Sequence, residues 1–454
     1  MTENTAETKS TNKDWSPTSW RNFTALQQPT WPDLGALDTV TKEIAGLPPL
    51  IFAGEARNLM NRLGQVADGK AFLLQAGDCA ESFDGFNANS IREKLRVILQ
   101  MAVVLTYSGG MPIVKIGRIA GQFAKPRSNP TETQDGAELP SFLGHMVNDV
   151  DFTETNRAPN PARLVQAYNQ SASTLNLLRA FSQGGFADLN RVQEWNQEFV
   201  ANSPQSQRYK ELAEEISRAL RFMDIAGMGE HPEVKETEFY TSHEALILQY
   251  EEALTRKDSL TGDYYDCSAH MVWIGERTRA LDGAHVEYMR GIHNPIGCKV
   301  GPTADPAEVV ALCDKLNPDN TPGRLTLITR MGAKVVDEKL PALVNAVESA
   351  GKNVVWACDP MHGNTYTEGT KKTRHFDDVF AEVCSFFKTH RKLGSWPGGI
   401  HVELTGENVT ECLGGAAEIA PEDLDKRYET VCDPRLNANQ SLDLAFSVAE
   451  LLQG

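Results

Sequence analysis

The 454-residue sequence lacks long apolar segments and an excess of basic residues. No apolar run approaches the roughly 20 residues needed to cross a bilayer. The polar N-terminus, MTENTAETKSTNK, has no apolar stretch of the kind found in signal peptides. A formal net charge of -17 repels nucleic acid and anionic lipid over most of the surface. We therefore expect a cytoplasmic protein without a membrane or nucleic-acid partner.

Closely spaced cysteine pairs are also missing. The 8 cysteines are scattered, and none forms a CxxC pair. This spacing argues against a disulfide framework and favours reduced thiols or individual metal ligands. No GxGxxG motif follows the first predicted strand, as it would in a dinucleotide-binding sheet.

The sequence does contain a recurring unit, in which a short apolar run is usually followed by an amphipathic helical stretch. Strands buried on both faces read as apolar runs, and eight strand-helix repeats close a barrel. We therefore predict an α/β fold of the (β/α)8 TIM barrel type, with an open doubly wound sheet as the alternative. The predicted strands begin at Ala71, Pro112, Glu236, His270, Pro295, Arg324, Asn353 and Gly399.

The region before the first predicted strand divides into two parts. Residues 1–14 are polar and turn-rich, so we expect a disordered tail. Residues 15–70 form a predicted N-terminal helical extension. Within it, apolar residues at helical spacing predict helices over Leu34–Leu47 and Ala53–Val66.

The predicted catalytic barrel occupies residues 71–454. Its second and third strands are separated by far more chain than a loop and one helix require. Helical apolar faces that start at Leu164 and Leu212 predict an inserted set of helices over about residues 160–230. The sequence leaves open whether these faces pack on the barrel or on another subunit.

Reactive side chains lie at or beyond the predicted strand ends, where barrel enzymes carry their active sites. One group combines a thiol, an imidazole and two carboxylates, which together suit manganese, cobalt, iron or zinc. Oxygen ligands would leave room for a substrate oxygen. The alternative for a single cysteine or histidine is core packing. The group is Cys79, His362, Glu403 and Asp433.

Four cations share this predicted rim although the protein is acidic overall. They are Arg118, Arg277, Lys299 and Arg330. Guanidinium groups bind phosphate or carboxylate through paired hydrogen bonds, and an ammonium acts as a compact charge. We therefore predict a pocket for a phosphorylated, acidic substrate. The alternative is that each cation pairs with Glu244, Glu276 or another carboxylate. The aromatic residues Trp273, Trp356, Phe386 and Phe387 are assigned to core packing.

Several long motifs occur in a fixed order. They are QAGDCAESF, KIGRIAGQFAKPRS, WIGERTR, KVGP, ITRMG, CDPMHGNT, HVELTGENVTECLGG and YETVCDPRLN. From about residue 26 to the C-terminus, the sequence resembles the type II 3-deoxy-D-arabino-heptulosonate 7-phosphate (DAHP) synthase family. The resemblance implies a decorated barrel and a metal-dependent, aldol-type condensation of phosphoenolpyruvate with erythrose 4-phosphate. This reaction is the first step of the shikimate pathway to aromatic amino acids.

The resemblance also implies roles for individual residues. The metal ligands would be Cys79, His362, Glu403 and Asp433, with Mn²⁺ expected and Co²⁺, Zn²⁺ or Fe²⁺ as alternatives. Phosphoenolpyruvate would be bound by Arg118, Glu276, Arg277, Lys299 and Arg330. The segment expected near erythrose 4-phosphate is Lys125, Pro126 and Arg127. Lys299 and Glu276 are the candidates for proton transfer, on their placement alone.

Members of this family are oligomers, so we expect a dimer or tetramer. Some members form a complex with chorismate mutase, which makes that enzyme a candidate partner. Feedback by aromatic amino acids is usual, but the sequence does not identify the residues involved.

Two other functions stay open at this stage. Lys299 in a barrel strand could form a Schiff base with a carbonyl substrate, as in a lysine-dependent aldolase. Alternatively, a barrel-derived regulatory subunit could bind phosphorylated metabolites without turnover. We also expect that Cys432, next to Asp433, could form a disulfide with Cys79 and so destroy the metal site, the alternative being two inert thiols.

Overall fold

The computed structural model describes residues 14–202, 206–229 and 231–453. Eight strands of this region, β1 to β8, are Phe72–Gly77, Ile113–Arg118, Tyr240–Glu244, Met271–Ile274, Ile296–Val300, Leu325–Thr329, Val355–Cys358 and Gly399–Glu403. They form a closed parallel barrel in which β1 pairs with both β2 and β8. The predicted (β/α)8 fold is confirmed. The predicted tail, residues 1–14, lies outside the described residues except for Asp14.

The barrel strands form because both of their faces are buried. All residues of β5 and β6 are buried, for example. In β1, Phe72 and Leu74 pack with the outer helices, whereas Leu73 belongs to the cluster of the barrel interior. Burial on both faces is what a parallel sheet beneath a helical layer requires.

Seven of the eight strands begin within two residues of the predicted positions, and the third does not. The run predicted from Glu236 contains four residues that precede β3. Thr237 in this stretch donates its backbone N–H to the carbonyl of Ser182, at the end of an inserted helix. The chain therefore reaches the barrel only at Tyr240.

The N-terminal helices are Leu34–Gly46 and Ala53–Ala67, close to their predicted bounds. Leu63, in the second helix, packs in the same apolar cluster as Leu73 of the barrel interior. Gly64 of this helix faces Pro322, just before β6. The helix therefore covers the N-terminal end of the barrel and leaves the opposite end for the site.

The insertion between β2 and β3 contains the helices Glu154–Arg157, Ala162–Gln183, Leu189–Asn202, Ser206–Ile225 and Pro232–Lys235. Ile216 and Leu220 belong to the main core cluster together with Phe446. Leu164 packs instead with Leu37 of the first N-terminal helix. Within the described chain, these helical faces thus pack on the layer around the barrel.

The insertion also contains a hairpin, Thr131–Gln134 and Ala137–Pro140, that the sequence reading missed. Its strands are mostly exposed and lack the apolar runs used to identify barrel strands. Asp135 and Gly136, with φ of 51° and 81°, form its turn. An Asp-Gly pair is a known hairpin signal and could have revealed it.

The remaining helices of eight or more residues in the described chain are Ala88–Gly109, Ala284–Gly291, Pro306–Leu316, Val336–Ser349, Phe376–Leu393 and Ala438–Gln453. A short helix, Leu248–Leu254, follows β3, and small hairpins lie at Thr255–Lys257 with Tyr264–Asp266 and at Tyr366–Glu368 with Lys371–Thr373. None of the helices in the described residues combines the length and apolar character of a membrane span.

Candidate active site

A cavity of about 510 Å³ lies at the C-terminal ends of the strands. A polar cavity at this end is where a barrel enzyme binds its substrate. Ten of the twelve residues predicted for the site line it: Arg118, Lys125, Pro126, Arg127, Glu276, Arg277, Lys299, Arg330, His362 and Asp433. The other two, Cys79 and Glu403, are fully buried.

The barrel places the predicted metal ligands together. Cys79 is the second residue after β1, and Glu403 ends β8 beside Gly77 of β1. One ligand atom from each of Cys79, Glu403 and Asp433 lies within 4.8 Å of the other two. His362 adds a fourth donor, with Nε2 3.1 Å from Oε1 of Glu403.

A cationic side chain already lies among these donors. The Nζ atom of Lys125 is 2.9 Å from Oδ2 of Asp433 and 3.2 Å from Oε1 of Glu403. It is also 3.2 Å from Sγ of Cys79 and 3.5 Å from Nε2 of His362. The four side chains therefore converge on one positive charge, and their sulfur, nitrogen and oxygen atoms suit a divalent metal.

The protonation of the donors follows from burial and neighbouring charge. Burial raises the pKa of Glu403, but His362, Lys125 and Arg374 hold it well below its ordinary value. Burial raises the pKa of the Cys79 thiol well above its ordinary value. A thiolate ligand thus needs a metal ion to displace the proton.

His362 is oriented by Asp359, which the sequence analysis did not include in the site. Nδ1 of His362 donates a hydrogen bond of 2.7 Å to the carboxylate of Asp359. Burial raises the pKa of Asp359, but His362 and Lys299 hold it well below its ordinary value, so the carboxylate is available as an acceptor. This bond leaves Nε2 facing Glu403, as in carboxylate–histidine–metal arrangements. The three-residue spacing of Asp359 and His362 was the signal in the sequence.

The buried Arg374 was also missed. Its Nη1 lies 2.8 Å from Oε2 of Glu403 and donates to the carbonyl of Pro434. The guanidinium thus contacts one proposed ligand and the residue that follows Asp433. In the sequence, Arg374 lies in the basic segment KKTRHF, and nothing in that segment indicates a contact with Glu403.

The predicted cations form a second group beside the donors. The guanidinium carbon of Arg118 lies 5.0 Å from the ring centre of Trp273, and Nζ of Lys299 lies 5.9 Å from it. Trp273 is buried, as predicted, but it also lines the cavity, so core packing alone was an incomplete assignment. Trp356, Phe386 and Phe387 belong to the main core cluster.

The alternative that cations pair with carboxylates holds for Arg118 and Lys299, although their partners are neither Glu244 nor Glu276. Glu276 contacts Arg279, 3.2 Å away, instead of Arg277. Arg118 pairs with Glu403, at 2.9 Å, and Lys299 pairs with Asp359. These partners belong to the proposed metal site and its support.

Within the described part of the chain, Arg330 and Arg277 donate hydrogen bonds only to neutral groups. Arg330 donates to the carbonyl of His362 at 3.4 Å, and Arg277 donates to Oγ of Ser128 at 2.8 Å. Both side chains lie at the cavity wall. Their charges are therefore available to an anionic ligand.

The loop Lys125–Arg127 is held by the N-terminal segment. The side-chain carbonyl of Gln27 accepts a 2.8 Å hydrogen bond from the backbone N–H of Arg127. Gln27 has a φ of 60°, which is unfavourable for a residue with a side chain. The next residue, Gln28, donates to the carbonyl of Leu246 at 2.6 Å. The N-terminal segment thus links this loop to the end of β3.

Three further charged residues line the cavity and were not predicted as site residues: Glu132, which pairs with Arg127, Lys372 and Glu244. Lys372, in the hairpin after His362, lies 2.9 Å from Oδ1 of Asp433. Glu244 ends β3, and burial raises its pKa. Its Oε1 has no hydrogen-bond partner among the described residues. Only the position of Glu244 at a strand end marked it in the sequence.

The closed barrel, with convergent donors and adjacent cations at the C-terminal ends of its strands, defines the class of this protein as a (β/α)8 barrel enzyme. The model of the class-II DAHP synthetase family matches residues 15–449. The phospho-2-dehydro-3-deoxyheptonate aldolase of Streptomyces coelicolor is 56% identical over 434 residues, covering 95% of this chain and 96% of that relative. The aldolase of the same name from Mycolicibacterium smegmatis is 50% identical over 435 residues, covering 94% and 93%. The chain belongs to the class-II DAHP synthetase family, as the motifs predicted.

Proposed function

We propose that this enzyme condenses phosphoenolpyruvate with erythrose 4-phosphate in a metal-dependent reaction that yields DAHP and phosphate. This proposal is supported by the position of the four candidate metal donors and the predicted cations, which lie together at one end of the barrel. One substrate offers an aldehyde oxygen to a Lewis acid, and both carry phosphate. A site that joins a metal to several cations matches both requirements.

The cationic pocket is proposed to bind phosphoenolpyruvate. Arg118, Lys299 and Arg330 line the cavity, and the ring of Trp273 lies against the first two. Their charges would balance the phosphate and carboxylate and hold the enol carbon in a fixed position. The complete proposed set is Arg118, Glu276, Arg277, Lys299 and Arg330.

The second phosphate is proposed to bind at Lys125, Pro126 and Arg127. This loop forms another part of the cavity wall. Arg127 currently pairs with Glu132 at 2.7 Å, so it would exchange this partner for phosphate. The substrate aldehyde would then lie towards the metal donors.

Cys79, His362, Glu403 and Asp433 would hold the metal, with Mn²⁺ as the expected ion. When bound, the metal supplies a Lewis acid that polarises the aldehyde carbonyl. Asp359 keeps His362 in the orientation needed for binding through Nε2. Co²⁺, Zn²⁺ and Fe²⁺ satisfy the same donor chemistry.

The proposed reaction forms a bond between the methylene carbon of phosphoenolpyruvate and the aldehyde carbon. Water adds to the enol-derived carbon, and phosphate leaves. The aldehyde oxygen gains one proton while the attacking water loses one. We assign these transfers to Lys299 and Glu276, which both line the cavity.

A dimer or tetramer and a complex with chorismate mutase are further proposals, based on family membership. Light scattering of the purified chain, alone and with chorismate mutase, would measure both. A monomer at every concentration would contradict the first proposal. An unchanged mass in the mixture would contradict the second.

The main test is phosphate release by purified protein after metal removal and reloading with Mn²⁺. We expect release only when both substrates are present, loss of activity with a chelator, and recovery with Mn²⁺. Mass spectrometry of the product should show DAHP. No release from Mn²⁺-loaded protein would contradict the proposal and favour a non-catalytic subunit.

A second measurement separates this reaction from a lysine-dependent aldolase. Borohydride would trap a Schiff base between Lys299 and a carbonyl substrate. We expect no trapping, because Lys299 is engaged with Asp359. Covalent trapping together with activity that survives the chelator would favour the Schiff-base mechanism.

A further inference from the structure

The segment that carries Asp433 lies outside every helix and strand of the described chain. Nevertheless, the backbone N–H of Asp433 lies 3.2 Å from Sγ of Cys79, which is 354 positions earlier in the sequence. Backbone bonds of regular structure therefore do not explain how this donor is positioned. Buried side chains next to it do.

Glu411 binds both ends of this segment. Its Oε2 accepts 2.8 Å and 3.0 Å hydrogen bonds from the backbone N and Nε of Arg435. Its Oε1 accepts from Nη2 of Arg435 at 2.7 Å and from the backbone N of Glu429 at 3.2 Å. One fully buried carboxylate thus fixes the chain on either side of Asp433.

Arg435 also joins this segment to the end of β1. Its Nη1 donates a 2.8 Å hydrogen bond to Oδ1 of Asp78, the residue before Cys79. The other carboxylate oxygen of Asp78 accepts from Lys94, in the helix Ala88–Gly109. Two carboxylates and two cations balance each other in charge. Charge-assisted hydrogen bonds at buried sites are strong and geometrically specific.

We infer that Glu411, Arg435 and Asp78 form a clamp that sets the separation of Cys79 and Asp433 and thereby the affinity for the metal. The clamp residues do not line the cavity of the proposed substrates. They act by positioning two donors and make no contact with substrate. This inference rests on the metal-dependent function proposed above.

The decisive variant is Arg435→Lys, which keeps the charge but loses the planar group that reaches Glu411 and Asp78 together. Loss of such outer contacts typically weakens metal binding about 10- to 100-fold, and we expect a rise of that size in the Mn²⁺ dissociation constant. Calorimetry with Mn²⁺ alone would measure it. Phosphoenolpyruvate binding, followed by tryptophan fluorescence, should be unchanged.

The matched control is Arg62→Lys. Arg62, in the helix Ala53–Ala67 at the opposite end of the barrel, donates hydrogen bonds of 2.9 Å and 3.0 Å to Glu238, and its side chain is 44% exposed. We expect wild-type Mn²⁺ affinity for this variant. If Arg435→Lys fails to fold by circular dichroism, Glu411→Gln replaces it, because the amide keeps the shape of the carboxylate and loses its charge.

Thiol reactivity gives a readout that needs no metal. A loosened clamp should expose the buried Cys79 and Cys432, so a thiol reagent should modify them faster in Arg435→Lys than in Arg62→Lys. Wild-type Mn²⁺ affinity in Arg435→Lys would overturn the inference. If wild-type protein itself bound no Mn²⁺, the proposed function would fail, and equal thiol reactivity in both variants would overturn the clamp separately.

Discussion

The ammonium nitrogen of Lys125 lies 2.9 Å from Oδ2 of Asp433, within the group of donors proposed for the metal. Burial lowers the pKa of Lys125, but Asp433, Cys79 and Glu403 together raise it well above its ordinary value. The lysine therefore carries a full charge at neutral pH. Its position makes it a neighbour of both the metal donors and the cavity.

Replacing Lys125 by Gln should strengthen Mn²⁺ binding and weaken catalysis. The change removes a positive charge that repels a second cation at short range. It also removes a group proposed to bind the aldehyde phosphate, so we expect turnover to fall by about tenfold or more, in the range for loss of a charged contact. Calorimetry and phosphate release would measure the two effects.

Lys371→Gln is the control for this change, because Lys371 pairs with the exposed Asp425. It should leave both quantities at wild-type values. Weaker Mn²⁺ binding in Lys125→Gln would mean that Lys125 supports the metal site.

The affinity for phosphoenolpyruvate should depend on the protonation of Lys299. Burial lowers the pKa of Lys299 to about 8, although Asp359 opposes this shift. The positive charge is therefore present below about pH 8 and is lost as the pH rises through this value. We expect KM for phosphoenolpyruvate to rise there, measured with saturating Mn²⁺.

In Lys299→Met, KM should be high at every pH and show no such inflection. Unaltered turnover in this variant would remove Lys299 from proton transfer. A wild-type KM that stays constant across the same pH range would contradict the assigned role in binding.

Oxidation should inactivate the enzyme through Cys79 and Cys432. Both thiols are free, buried and packed in one cluster with Phe142. A disulfide between them would remove the sulfur donor, so we expect mild oxidation to abolish Mn²⁺ binding and a reductant to restore it. Cys432→Ser should resist oxidation, whereas Cys384→Ser, altered on an outer helix, should not. Equal activity of wild-type protein before and after oxidation would refute this expectation.

Gln27→Ala should raise KM for erythrose 4-phosphate. The variant loses the acceptor that holds the backbone of Arg127. Loss of one such hydrogen bond costs roughly 1 kcal/mol, or about fivefold in KM. KM for phosphoenolpyruvate should not change. Leu26→Ala, in the exposed neighbouring position, should behave like wild type.

The fold could be predicted because its main signal is local. Each barrel strand is apolar on both faces and therefore visible as a short run. The start of the third strand was misplaced because the residues from Glu236 to Phe239 do not pair with a barrel strand. Their backbone is held instead by a hydrogen bond to the distant Ser182, which the local pattern of apolar and polar residues does not reveal. The hairpin at residues 131–140 escaped because its exposed strands carry no apolar run.

The types of residue in the site could be predicted, but most of their partners could not. Position at strand ends and the family motifs identified Cys79 and Asp433. Nothing in the local sequence indicates that Arg435 contacts Asp78, because 357 positions separate the two residues. Likewise, only the folded chain shows that Arg118 pairs with Glu403, which lies 285 positions further along the sequence.

The pairing of the first strand with the last has a consequence for biosynthesis. A nascent chain displays Cys79 early, but Asp433 emerges from the ribosome only after all eight strands have been made. The two donors meet when β1 and β8 close the barrel. Capture of the proposed metal would therefore follow translation of nearly the whole chain, and a prematurely terminated product would contain the thiol without the other donors.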